Sequence, residues 1–292
     1  MYKRKPEWLK IKLEHGENLK KINALTSSLH LNTVCQEANC PNRLECHNKG
    51  TATFMILGSI CTRNCRFCNV SFGKPNEVDK NEPLHVAKAI QKLGLKHAVI
   101  TSVTRDDLDD GGASHFRDVI YAIRELNPNT TIEVLIPDLQ GNFNALKIIT
   151  DAKPEILNHN IELVPRLFKS ITPNSVYKRS LDLLLKVKDL DDSILTKSGF
   201  MVGLGENEAE VIELLKDLKE HKCDIVTIGQ YLQPSKNHAE LVDYITPEQF
   251  EKYKKIGMDM GFKYIASSPL VRSSYNAKEA LDCSHNIQLT SC

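Results

Sequence analysis

From Thr53 onward, short apolar runs alternate with longer stretches in which apolar residues recur every three or four positions. Short runs of this kind predict buried strands, and the longer periodic stretches predict helices with one apolar face. The expected strands are Thr53–Leu57, His97–Ser102, Thr131–Ile136, Ile156–Asn160, Phe200–Gly203, Ile225–Gly229 and Tyr264–Ser267. Between them the pattern predicts helices over Pro83–Leu93, Ser114–Leu126, Asn142–Asp151, Pro173–Leu190, Glu206–His221 and Pro247–Met260. Thr246-Pro247-Glu248 and Thr172-Pro173 each place a capping hydroxyl before a first-turn proline, a signature of a helix start. Residues 1–50 read as polar and irregular, with a turn at Pro41-Asn42.

Strands separated by single helices pair in parallel through right-handed crossovers. Six or so such units in about 230 residues predict an α/β protein, an open, partial (β/α)6 TIM-like barrel rather than a closed eight-fold one. On that reading residues 1–52 form an N-terminal cysteine-rich extension, 53–270 the barrel and 271–292 a short C-terminal extension. A doubly wound sheet is the competing arrangement. Its dinucleotide fingerprint fails, because Gly203-Leu204-Gly205 is followed by Glu208 where the third glycine should fall.

Composition and charge exclude more than they identify. Lys plus Arg number 38 against 37 for Asp plus Glu, so no net field draws in nucleic acid or an anionic membrane. No apolar run is long enough to span a bilayer. The start, Met1-Tyr2-Lys3-Arg4-Lys5-Pro6, is basic and lacks the apolar stretch of a signal peptide, so a cytoplasmic location is expected.

The cysteines change the picture. Six of the nine fall in two trios, Cys35, Cys40 and Cys46, then Cys61, Cys65 and Cys68. The second trio reads C-T-R-N-C-R-F-C and follows the first predicted strand, at the carboxyl end where barrel active sites are built. Cubane iron–sulfur clusters normally take four cysteines. Three thiolates on one loop can hold three irons and leave the fourth open, the arrangement of enzymes that cleave S-adenosylmethionine reductively. Structural zinc is the blander alternative, but it prefers closed four-ligand sites made of cysteine pairs, and neither trio supplies them. Clustered cysteines in a cytosolic chain also favour metal over disulfides. Cys223 opens a strand-like run and reads as a small core residue; Cys283 and Cys292 lie in a tail and receive no role.

Several blocks resemble the lipoyl synthases, a family of radical S-adenosylmethionine enzymes. They are Val34-Cys35-Gln36-Glu37-Ala38-Asn39-Cys40-Pro41-Asn42 with Cys46, the Cys61–Cys68 loop and Thr101-Ser102-Val103-Thr104-Arg105-Asp106-Asp107. Further on come His159-Asn160, Glu162, Pro165-Arg166-Leu167, Gly203-Leu204-Gly205-Glu206, Gly229-Gln230-Tyr231-Leu232-Gln233-Pro234 and Arg272-Ser273-Ser274-Tyr275. The resemblance runs from about Trp8 to Ala280, and the Cys-x4-Cys-x5-Cys trio with Arg-Ser-Ser-Tyr is its most specific part.

The resemblance implies two sulfur insertions, at C6 and C8 of an octanoyl chain amide-linked to a lysine of a lipoyl domain or of the glycine-cleavage H protein. It implies two [4Fe–4S] clusters and S-adenosylmethionine as cofactors. Cys61, Cys65 and Cys68 would hold the cluster that reduces S-adenosylmethionine. Cys35, Cys40 and Cys46 would hold an auxiliary, sulfur-donating one with Ser274 as its fourth ligand. Thr101, Ser102, Arg105, Asn160, Glu162, Arg166, Gly203, Gly205 and Gln233 would face S-adenosylmethionine. Further partners implied are a ferredoxin or flavodoxin-type electron donor and a cluster-repair protein, with neither nucleic acid nor membrane. Without the resemblance, Glu162 and Arg166 read as an i,i+4 surface pair, Ser274 as a turn serine and Asp106–Gly112 as a turn with helix-capping acids. Leu163 stands where the family usually has threonine, and the tail after Leu281 departs from the usual ending. Rival readings are a sulfur-inserting synthase acting on biotin precursors or tRNA, which the balanced charge disfavours for tRNA, and a two-cluster electron carrier. Carriers of that kind are short, whereas this chain devotes over 200 of its 292 residues to α/β scaffold.

Overall fold

The computed structural model describes residues 4–10, 17–48, 53–274 and, beyond these, 277, 279 and 281. Tyr275, Cys283, Cys292 and the tail after Leu281 lie outside the described residues. The chain divides into two compact units, one made of 11–64 and 69–157, the other of 1–10, 65–68 and 158–292.

The first unit opens with β1 (Asn32–Thr33), antiparallel to β2 (Thr53–Ile56). A two-stranded parallel ribbon follows, β3 (Ile60–Cys61) with β4 (Ser71–Phe72). β2 then pairs in parallel with β5 (His97–Ser102), in register Thr53 to Val99, and β5 with β6 (Thr131–Leu135). β7 (Ile156–Asn158) lies where the chain passes from this unit to the next. All four residues of β2 are buried, the signature of a parallel strand covered on both faces. The helices begin and end where their sequences dictate. Glu82–Leu93 has proline in its first turn and left-handed Gly94 at its end, and Phe143–Asp151 is capped by the Asn142 side chain, which accepts from the Asn144 and Ala145 N–H groups.

The second unit carries β8 (Leu195–Val202), β9 (Ile225–Gln230) and β10 (Tyr264–Ser267), all parallel, with Gly199 opposite Thr227 and Tyr264 opposite Ile225. Helices Pro165–Ile171, Tyr177–Leu190, Glu208–Glu220 and Pro247–Asp259 accompany them. Phe200, Leu214, Leu215, Ile228, Tyr231, Phe250 and Phe262 belong to its apolar core. Cys223 is buried in that core, as its strand-opening position predicts.

The alternation of parallel strands and helices is the expected α/β class. Three expectations need correction. Residues 17–48 are not irregular but hold helices Glu17–Ser28, Val34–Glu37 and Arg43–Asn48. Thr172 does not start a helix: it ends Pro165–Ile171, and the next helix begins at Tyr177. β8 starts at Leu195 rather than Phe200, because Thr196, Lys197 and Ser198 are buried although polar, which no hydrophobic pattern reveals. Thr196 bonds the Asp224 carboxylate and Ser198 Oγ accepts the Ile161 N–H, so strand and polarity are reconciled by partners.

Candidate active site

The turn that leaves β2 is pinned at both backbone groups. Leu57 has a left-handed φ of 67°, its N–H donates to Glu82 Oε2 at 2.8 Å, and its carbonyl accepts from Arg105 Nη1 at 3.3 Å. The same Glu82 oxygen lies 2.6 Å from His115 Nε2. Gly112 has a φ of 91°, a conformation that strains any L side chain, and a Cβ there would also press on Leu57 Cδ1. On β3 the Cys61 carbonyl accepts the Gly73 N–H at 2.9 Å, and Thr62 donates both its N–H and its hydroxyl to the Thr104 carbonyl. The Arg63 N–H points at Cys61 Sγ, 3.4 Å away.

Acids beyond β5 and β6 complete this side. Arg63 makes a fork on Asp106 (2.6 and 2.8 Å) and a third bond to Asp138 (2.6 Å). Desolvation works against its charge, but these two carboxylates outweigh it and raise its pKa. Asp110 accepts from the Gly112 and Ser114 N–H groups and caps Ala113–Leu126; burial raises its pKa, but these bonds prevail and hold it below the usual range. The stretch from Asp106 to Gly112 is thus a turn with a helix-capping acid.

In the second unit the cysteine loop continues as a turn, with the Cys68 N–H bonded to the Cys65 carbonyl at 3.0 Å. Arg66 is strapped on both sides, its N–H to Ile171 and its carbonyl to the Ala239 N–H. His238 Nε2 lies 3.1 Å from the Cys68 carbonyl, with its other ring nitrogen 2.8 Å from Ser235 Oγ.

The N-terminal trio lies on consecutive turns of the first unit. Cys35 sits in helix Val34–Glu37, Cys40 follows with its N–H on the Cys35 carbonyl, and Cys46 lies in Arg43–Asn48 with its N–H on Asn42. Burial pushes the Cys35 thiol up, against the lowering effect of a Thr53 backbone bond. None of the six cysteines is in a disulfide. Among the described residues no three His, Cys, Asp or Glu side chains converge on a single metal ion. A cube spreads its irons apart, so its thiolates need not meet at one point. The donor set, six cysteines outside any disulfide in two runs of three, fits cluster chemistry.

The other expected residues fall at strand ends. Thr101 Oγ1 donates to the Leu135 carbonyl, whereas Ser102 Oγ is buried without a hydrogen-bond partner, a hydroxyl left over for a polar ligand. Arg105 also forks onto Asp107. In the second unit Asn160 Nδ2 donates to Glu162 Oε1 at 3.1 Å and to Ser273 Oγ at 2.8 Å. Glu162 is held at φ 67° by backbone bonds to Gly199 and Met201. Such strained, desolvated residues concentrate at functional sites. Glu162 and Arg166 do not form the i,i+4 pair, since Arg166 is exposed and forks onto Glu210 while bonding the Gly205 carbonyl. The Glu206 carboxylate accepts the Gly203 and Leu204 N–H groups. At Gly203 the close neighbour is the protein itself, because a Cβ would lie 2.2 Å from Gln230 Nε2. Gln233 donates to the His238 carbonyl at 3.3 Å.

The radical SAM superfamily model matches residues 55–218, and the model of the N-terminal domain of lipoyl synthase matches 2–40. The chain is 59% identical over 280 residues to the lipoyl synthase of Alkaliphilus metalliredigens, covering 96% of this chain and 97% of that one. The chain belongs to the lipoyl synthase family. The lipoyl synthase of Caldanaerobacter subterraneus subsp. tengcongensis is 57% identical, with 95% and 97% covered. Solved enzymes share the fold at low identity. Methylornithine synthase superposes with a TM-score of 0.51 at 11% identity (96% and 91% covered), and Streptococcus suis SuiB bound to its precursor peptide with 0.55 at 10% (89% and 54% covered). As a lipoyl synthase of the radical SAM superfamily, the chain is an enzyme that uses S-adenosylmethionine and an iron–sulfur cluster.

Pattern reading of this lipoyl synthase misses Arg63, Asp138, the Glu82–His115 pair, His238 and Ser273. Arg63 stands inside the cysteine motif and Asp138 just after a predicted strand, so position offered a hint for both. Glu82 and His115 lie 33 residues apart and gave none.

Glu162 carries a measurable consequence. It is half-buried, and desolvation pushes its carboxyl up to about 7, against the lowering effect of Asn160. A carboxyl whose folded value lies above its unfolded one stabilises fully below the unfolded value, and that stability is lost as pH rises through the folded value. Cluster-free lipoyl synthase should therefore lose stability between pH 5 and 8 in urea titrations. Glu162→Gln should flatten that slope by about one proton. Equal slopes would show that the carboxyl is not desolvated.

Proposed function

We propose that this lipoyl synthase inserts sulfur at C6 and C8 of an octanoyl chain amide-linked to a lysine of a lipoyl domain or of the glycine-cleavage H protein. The observation that carries the reading is the second set of thiols. Cys35, Cys40 and Cys46 lie on their own run of turns, the first two of them in the segment matched by the lipoyl synthase N-terminal model. Cysteines 61, 65 and 68 would hold one [4Fe–4S] cluster with S-adenosylmethionine. Residues 1–52 would carry a second, sulfur-donating cluster, with Ser274 of the 271–292 segment as fourth ligand.

The target carbons bear unactivated hydrogens, on which a general base has nothing to act. The bound cofactors supply a primary carbon radical able to take such a hydrogen, and the protein supplies position and exclusion of water. The Ser102 hydroxyl and the Asn160–Glu162 pair are suited to the polar groups of S-adenosylmethionine. Thr101, Arg105, Arg166, Gly203, Gly205 and Gln233 complete the set by shaping strand ends and loops. A ferredoxin or flavodoxin-type donor would supply electrons and a cluster-repair protein would rebuild the donor cluster, all in the cytoplasm. No helix among the described residues is long and apolar enough to cross a membrane.

Anaerobic incubation with an octanoyl-lysine peptide, S-adenosylmethionine and a strong reductant, read by mass spectrometry, tests the reading. A peptide gaining two sulfur atoms is expected, and an unchanged peptide beside ample 5′-deoxyadenosine would defeat it. Ser274 has its own test. Serine oxygen is a weak match for a site of soft thiolates. Ser274→Ala should therefore lose iron and lipoyl product, while Ser274→Cys should keep iron and stall sulfur transfer. Two fully active variants would leave Ser274 a turn residue.

A further inference from the structure

The cysteine motif contains an arginine whose charge is entirely engaged inside the protein. Arg63 is 7% exposed, and three of its bonds end on the carboxylates of Asp106 and Asp138, the latter 2% exposed. Those acids are fixed in turn. The Asp106 N–H donates to Thr62 Oγ1, and Asp138 Oδ1 accepts from the Gln140 N–H. The side chain therefore cannot swing, and it holds its own backbone still. That backbone N–H is the one aimed at Cys61 Sγ. Hydrogen bonds to the sulfurs, net charge and burial are the protein's levers on the potential of an iron–sulfur cluster. Arg63 pulls two of them at once, through the N–H and through the balance of one guanidinium against two carboxylates.

We propose that Arg63, clamped by Asp106 and Asp138, is a positioning residue that sets the reduction potential of the cluster on Cys61, Cys65 and Cys68. It acts through the Cys61 sulfur and touches no substrate. This inference rests on the assignment of those three cysteines as ligands of the S-adenosylmethionine-cleaving cluster.

The charges make a sign prediction that structural damage does not. Arg63→Met removes a positive charge, leaves two carboxylates beside the loop and frees the backbone N–H. All three changes disfavour the added electron, so the potential falls. Asp138→Asn removes a negative charge and keeps an oxygen for the third Arg63 bond, so the potential rises. General loosening of the loop would move both variants the same way.

The measurement is an anaerobic redox titration followed by electron paramagnetic resonance. It is made on the reconstituted full chain with Cys35, Cys40 and Cys46 replaced by Ala, so that one cluster is read. Arg63→Met should leave the cluster about tenfold less reduced at a fixed potential, about 59 mV for one electron. Asp138→Asn should shift the opposite way. The Arg63→Met deficit in 5′-deoxyadenosine formation should shrink when dithionite is replaced by the stronger reductant titanium(III) citrate. Arg63→Lys, a charge without the fork, should fall between wild type and Arg63→Met. Unchanged potentials in loaded variants, or shifts of the same sign in both, overturn the proposal. If Arg63→Met fails to take up iron, Asp138→Asn against Arg63→Lys still decides the sign. A reducible signal that survives when Cys61→Ala, Cys65→Ala and Cys68→Ala are added to that same single-cluster background defeats the ligand assignment itself.

Discussion

Replacing Cys61, Cys65 and Cys68 together by alanine is expected to abolish 5′-deoxyadenosine formation while leaving about four of about eight irons bound. The loss should be complete rather than graded. Reductive cleavage needs an electron delivered through a cluster with one iron free for the cofactor, and no other group in the chain can substitute. The surviving irons follow from the separate construction of the two trios. Cys35, Cys40 and Cys46 depend on short helices and turns at Val34–Glu37 and Arg43–Asn48, built from their own backbone bonds, with the Asn69 side chain after the later loop donating to the Glu37 carbonyl. Iron and sulfide analysis with a 5′-deoxyadenosine assay checks both halves. Substantial cleavage in the triple variant would place the reactive cluster elsewhere, and complete loss of iron would mean that the trios do not load independently.

The parts of this protein that sequence makes legible are those whose physics is local. β5 and β10 occur where the apolar runs place them, and Thr246 caps Pro247–Asp259 through the Gln249 N–H as its Thr-Pro-Glu motif predicts. Thr172-Pro173 carries the same two residue types and fails. The Thr172 hydroxyl is turned back to the Phe168 carbonyl at the end of the preceding helix, and buried Ile171 fixes that end. The motif is necessary for a start, but tertiary burial decides whether it is used.

The same division runs through the candidate site. Cysteine spacing announces both trios because three thiols so close in sequence have few other uses. Glu162 shows the limit: from the sequence it pairs with Arg166 one helical turn on. That geometry requires a helix through both residues, and the chain instead turns at Glu162, which has a left-handed φ, with Leu163 bonded back to Ile161 and the first helical residue at Pro165. Glu162 therefore accepts from Asn160, two residues away, and not from Arg166. Arg63 is illegible for another reason, since its partners lie 43 and 75 residues along the chain on different strand ends. Only parallel topology, which collects the carboxyl ends of successive strands, brings them to the cysteine loop.

Changing Cys35, Cys40 and Cys46 together to alanine is expected to produce the opposite failure: S-adenosylmethionine is still cleaved, but no lipoyl product forms. The motivation is chemical. Sulfur must come from somewhere, and the N-terminal trio is the remaining cluster-type thiol set. Cys223 is no alternative, because burial first and then Asp224 push its thiol up to about 12 and keep it protonated inside the core. A protonated, buried thiol is neither nucleophile nor metal ligand. Mass spectrometry of an octanoyl-lysine peptide should then show at most deuterium exchange or desaturation and no sulfur, with 5′-deoxyadenosine still accumulating. Growth of the organism's reductant supply cannot rescue this variant, because the missing component is the donor and not the electron. Lipoyl formation at the wild-type rate would show that sulfur arrives from outside the chain, and the N-terminal trio would then be a structural cluster.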